Sequence, residues 1–154
     1  LLLGTTVAFS QSNYPNSKDY LAIQNELAKW NQMQDDGNLE GFMGLWAESP
    51  TFKNPFGEFK SREEIKGFEQ NYLNGFANGK RHLASNVAIM SSGKNTALAK
   101  VDLMVVEVKE IPYIAATVRA YITLVKESGI WKFKEVVLSI DEGFNKLMES
   151  QQKN

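Results

Sequence analysis

The apolar residues of this chain change their spacing once, and the change falls near Gly79. Before it they recur in steps of three and four; after it they alternate. The first spacing lays one stripe along a helix, and the second lays one face along a strand. A single switch of this kind segregates the elements. Helices come first and strands follow, which makes an α+β fold rather than alternating units around a parallel sheet.

Asn16 or Ser17 can cap a first helix, along which Tyr20, Ile23, Leu27, Trp30 and Met33 form one stripe. It stops at Asp35-Asp36-Gly37-Asn38, where Gly37 supplies a left-handed end and Asn38 a fresh cap. A shorter helix follows, with Leu39, Phe42, Met43 and Trp46 on one side, and ends before Pro50. Thr51 to Gly57 is a short extended piece and turn, because Pro55 and Gly57 forbid anything long and regular. Ser61 with Glu64 three residues on is a capping box, and it opens a third helix carrying Ile65, Phe68, Tyr72 and Phe76.

Four strands are expected next, over 81–90, 97–108, 113–126 and 130–140, with a short helix or tail over 141–152. The turns between them are short, so neighbours run antiparallel. Long twisted strands wrapped over a helix layer make a cone whose mouth can stay open.

The histidine at the head of the first strand is the chain's only one. On a regular strand His82, Ala84, Asn86 and Ala88 share a face, and Leu83, Ser85, Val87 and Ile89 share the other. If the first set faces inward, an imidazole and an amide lie along a floor of small residues. Such a floor leaves a hollow.

The remaining composition narrows the chemistry. There is no cysteine, which excludes disulfides, a thiolate nucleophile and cysteine-ligated metals, and one histidine excludes a multi-histidine metal site. No aspartate-rich calcium loop is present, so the expected site uses neither metal nor cofactor. The formal net charge of −1 offers no basic field for nucleic acid. No apolar run reaches the ~18 residues of a membrane span. The 154 residues suit one domain, expected over 17–150. Ala8-Phe9-Ser10 before Gln11 fits a small-x-small cleavage pattern behind an apolar stretch. Residues 1–16 therefore read as the remnant of a secretory signal and a disordered lead, with export to the periplasm or beyond as the expectation; an ordinary N-terminus is the alternative.

This order of elements, with Trp30 to Asp35, Leu39 to Trp46, Asn54-Pro55-Phe56-Gly57, Ser61 to Ile65, Arg81 to Val87 and Gly129 to Phe133, resembles the SnoaL-like branch of the nuclear transport factor 2 superfamily. The resemblance covers about residues 18 to 142. It implies an α+β cone, a curved antiparallel sheet over three N-terminal helices, commonly dimeric through the outer sheet face. Scytalone dehydratase and the bile-acid dehydratases look like distant relatives. In them an aspartate ending the first helix meets a histidine opening the strand after the third helix, and those positions are Asp35 and His82 here. The dehydratase pattern's second histidine, two tyrosine positions and late asparagine fall on Val101, Gln34, Phe56 and Ala120. The likeness therefore extends to the acid/base pair rather than to that whole site.

A histidine beside a carboxylate can take and return a proton in a dry pocket. The expected catalytic pair is Asp35 and His82, acting in lyase or isomerase chemistry on a small apolar or mixed-polarity molecule. Trp30, Phe42, Trp46, Phe56, Phe68 and Asn86 are the expected ligand-facing residues. Two bland alternatives stay open. His82 can be a strand histidine bonded to a backbone carbonyl, and Asp35 can be a solvated helix end. A ligand carrier with the same cavity, or a dimeric interaction module with a filled cone, would fit the same sequence. Arg119, interrupting an apolar strand, is expected on the outer sheet face, paired with a carboxylate of a neighbouring strand.

Overall fold

A computed structural model describes residues 14–143 and Lys146. The signal-like stretch Leu1 to Ser10 and most of the expected tail over 141–152 lie outside the described residues.

Helix α1 spans Ser17–Asp35, α2 Leu39–Gly44 and α3 Arg62–Asn74. Each is opened by the cap its sequence suggests. Asn16, Asn38 and Ser61 accept from the backbone N–H groups of Asp19, Gly41 and Glu64. Gly37, at φ +65°, turns the chain from α1 into α2. Helix α3 ends at Asn74, so Phe76 lies beyond it rather than on its stripe.

The sheet has six strands: β1 Trp46–Asn54, β2 Gly57–Phe59, β3 Lys80–Gly93, β4 Thr96–Glu107, β5 Ile114–Glu127 and β6 Ile130–Ile140, in the order β2-β1-β6-β5-β4-β3. Two points differ from the sequence reading. Thr51 to Asn54 is the end of a nine-residue strand rather than a short extended piece, with the expected turn at Pro55 and Phe56. That strand lies parallel to β6, so the sheet is mixed rather than wholly antiparallel. Trp46 therefore opens β1 instead of ending α2, because the helix stops at Gly44.

The core fills the narrow side of the sheet. Trp30, Phe42, Trp46, Phe52 and Phe133 meet edge-on or tilted, with Phe133 touching both tryptophans at centroid separations of 5.6 and 5.8 Å. These arrangements match the electrostatic preference of aromatic pairs. The Arg62 guanidinium donates to the carbonyls of Met43, Trp46 and Ala47, which fixes the start of α3 against the α2–β1 junction.

Strand β3 is not regular. Its pairing with β4 slips between Ser85 and Ala88, and Asn86 takes φ +50°. Asparagine tolerates this conformation better than most residues. The extra residue reverses the alternation. His82 and Ile89, seven apart and on opposite faces of an unbroken strand, both turn inward. Ala84, Asn86 and Ala88 are exposed. The floor of small residues expected beside His82 is therefore absent, and Asn86 donates outward to Asp102 at 3.0 Å. Arg119 pairs with the same aspartate across strands, Nε to Oδ1 at 2.7 Å, on the outer face as expected. Among the described residues no helix is long and apolar enough to cross a membrane.

Candidate active site

The wide end of the sheet stands away from α3 and leaves a cup of about 420 Å³. Its sheet wall is Leu103 and Val105 of β4, Ala116 and Val118 of β5, and Leu138 and Ile140 of β6. Facing it are Phe68, Glu69 and Tyr72 of α3, with Phe76 just past the helix. Trp30 and Phe42 close the base. Phe56 stands at the rim, 66% exposed. The turn that carries it is held by Asn54, whose Oδ1 accepts from the N–H groups of Phe56 and Gly57 at 2.8 and 3.1 Å. Phe68, Tyr72 and Phe76 repeat at one-turn intervals, and successive rings lie within 12° and 27° of parallel. They stack along one side of the cup.

Asp35 and His82 meet. Asp35 Oδ1 accepts the backbone N–H of His82 at 3.0 Å and lies 2.8 Å from its ring Nδ1. An oxygen that already accepts the backbone N–H asks for a donor at Nδ1, so the ring carries its hydrogen there and offers a lone pair at Nε2. Nε2 lies 2.6 Å from the Tyr72 hydroxyl, which donates to it. The order Asp35, His82, Tyr72 thus runs from the partly exposed end of α1 to the cup, and the His82 side chain is only 4% exposed. The His82 ring bonds to side chains rather than to a backbone carbonyl, and the cone is not filled with the pair apart; Asp35 is the exposed last residue of α1 and the partner of His82 at once.

Other expected residues divide. Trp30, Phe42, Phe56 and Phe68 line the cup. Trp46 does not: it is buried in the aromatic core between Phe42, Phe52 and Phe133, because the chain has already turned into β1. Asn86 does not either, because the bulge turns it outward.

Two polar residues of the cup, Tyr72 and Glu69, escaped the sequence reading. Tyr72 was legible only as one member of an apolar stripe. Glu69, three residues earlier on the same face of α3, is 1% exposed, and its Oε1 accepts from Gln34 Nε2 at 2.9 Å. The available signal was a glutamate placed one helical step from an aromatic stripe; Lys66, three residues earlier on α3, pairs with Glu40 instead. Burial raises the Glu69 carboxyl to about 7, with the Gln34 bond opposing part of the shift. Burial also raises Tyr72 above its ordinary range, helped by the charges of Glu69 and Asp35. Its hydroxyl stays protonated and works as a donor. Among the described residues no three His, Asp or Glu side chains cluster as a metal ion would need.

The raised Glu69 pKa has a sign that can be checked. The folded protein holds this proton more tightly than the unfolded chain, whose value is near 4.5. Below that value the group is protonated in both states and costs nothing. As pH rises through about 7, the folded state loses stability, by up to about 3 kcal/mol at full shift. Replacing Glu69 with Gln keeps an acceptor for Gln34 and removes the charge. The variant is expected to match the parent in thermal unfolding near the unfolded pKa and to melt several degrees higher in mildly alkaline buffer. Equal melting temperatures at both ends of the pH range would contradict the burial argument.

The model of the SnoaL-like domain matches residues 15–137. No curated protein matches the chain. Among solved structures it is similar to a protein of unknown function with a cystatin-like fold from Nostoc punctiforme, at 23% identity and TM-score 0.78, covering 84% of this chain and 96% of that one. It is also similar to a candidate scytalone dehydratase from Novosphingobium aromaticivorans, at 21% identity and TM-score 0.73, covering 82% and 86%. A nuclear transport factor 2-like protein with a cystatin-like fold, from the same organism, matches at 18% identity and TM-score 0.73, covering 82% and 84%. At these identities the structures share the fold. The family match spans all three helices and most of the sheet, and the chain belongs to the SnoaL-like domain family.

Proposed function

We propose that the cup takes a small, largely apolar molecule bearing a carbonyl group and moves a proton on it, as a lyase or isomerase does. The supporting observation is the contact of Asp35, His82 and Tyr72 at the wall of an otherwise apolar hollow. His82 is the base and Asp35 fixes its tautomer. A ligand carbonyl that takes over the Tyr72 O–H frees the lone pair on Nε2. That lone pair then faces the carbon next to the carbonyl, and removes its proton. Tyr72 stays protonated and donates to the oxygen on which the negative charge develops. Loss of a hydroxyl from the next carbon, or movement of a double bond, completes the reaction.

The test uses α-tetralone, a flat apolar ketone, in deuterated buffer. The protein is expected to catalyse exchange of the hydrogens beside the carbonyl, followed by proton NMR. Asp35→Asn should slow exchange on the order of 10²- to 10⁴-fold with little change in ketone affinity, since it disturbs only the ring's tautomer and orientation. Bound ketone without any exchange in the parent protein would mark a carrier and end the catalytic reading.

A further inference from the structure

We infer that Glu69 is a further catalytic residue, the acid that protonates the departing oxygen while His82 takes the carbon proton. This rests on the proposed function above and adds to it the second half of an elimination.

The geometry is direct. Glu69 and Tyr72 are three residues apart on α3 and line the same cup. A ligand whose carbonyl reaches Tyr72 therefore lies alongside Glu69. Gln34 is the one hydrogen-bond partner of the Glu69 carboxyl among the described residues, and it binds only Oε1. A carboxyl walled by apolar side chains favours its neutral form. The neutral form carries an O–H, and Gln34 Nε2 is a donor that cannot accept it. No residue of the wall is hydrogen-bonded to receive that hydrogen; an oxygen of the ligand would be. A carboxyl kept only for packing would be better served by leucine or methionine of similar size.

The C–H bond beside the carbonyl breaks, its proton goes to His82 Nε2, and its electron pair forms the new C=C bond. The C–O bond on the next carbon breaks with its electron pair on oxygen. That oxygen takes the Glu69 proton and leaves as water. His82 is left as imidazolium and Glu69 as carboxylate, and solvent entering at the rim returns the proton from one to the other. No oxidant or further reactant is needed.

The test uses the β-hydroxy ketone formed from acetone and benzaldehyde, whose dehydration product, benzalacetone, absorbs in the near ultraviolet. Two rates are read on the same sample: deuterium entry beside the carbonyl, and appearance of benzalacetone. Glu69→Gln is expected to lower the ratio of elimination to exchange on the order of 10²-fold or more, with melting temperature confirming the fold. Elimination by Glu69→Gln at the parental rate would overturn the role of Glu69 and leave that of His82. Loss of exchange and elimination together in a folded Glu69→Gln protein would also overturn it, since the residue would then serve the carbon step. Absence of exchange in the parent protein would overturn both readings.

Discussion

Replacing His82 with Gln is expected to reduce deuterium exchange into α-tetralone by about 10³-fold or more, down to the rate of the solvent reaction. Glutamine approximates the reach of the imidazole, and its amide can still bond to Asp35 and to Tyr72. The pocket should therefore persist, and ketone affinity, read from quenching of the tryptophan fluorescence, should change by less than about threefold. What the amide lacks is a lone pair basic enough to hold a proton. Binding and rate are thus separated by one substitution. Undiminished exchange in the variant would remove His82 from the mechanism. It would turn attention to Glu69, whose carboxyl burial raises to about 7 in the same cup.

The second large effect concerns stability. Phe133→Ala is expected to destabilise the fold by about 3–5 kcal/mol, seen as a large fall in the urea midpoint. The ring is fully buried and touches both Trp30 and Trp46, so its removal leaves a hole that two bulky indoles cannot close. The backbone bond from Phe133 N–H to Leu45 O is untouched, so the loss is one of packing alone. Against a total of roughly 5–15 kcal/mol for a domain, this is a substantial fraction. Because Trp30 also forms the base of the cup, ligand affinity should fall with it. A variant with the parental midpoint would mean that the aromatic cluster is not the keystone of the core.

The sequence carried the helices well, because caps and apolar stripes are local signals: Asn16, Asn38 and Ser61 each open the helix expected of them. The four long strands were legible for the same reason. Strand β1 was not, since Pro50 and Pro55 mask a segment whose order comes from pairing with β6, some eighty residues away. The bulge at Asn86 was invisible too. Nothing in Ser85 to Ala88 announces an extra residue, yet one slip sends Asn86 out and Ile89 in. For the site, Asp35 with His82 came from resemblance and was met in the geometry. Tyr72 was hidden by being read as part of an apolar stripe, and Glu69 was not singled out, because helical periodicity marks what is buried without saying whether it is buried in core or against a hollow.

The parallel pairing of β1 with β6 also bears on how the molecule comes into being. The last of the six strands in chain order is not an edge but a central plank, flanked by β1 on one side and β5 on the other. Until it arrives, the early strand has no neighbour except the three-residue β2, and two walls of the hollow, Leu138 and Ile140, do not exist. A nascent chain can make its helices and the β3–β4–β5 meander, but it holds open a slot that only β6 can fill. A chain truncated anywhere within β6 therefore loses the sheet's continuity and not merely its end.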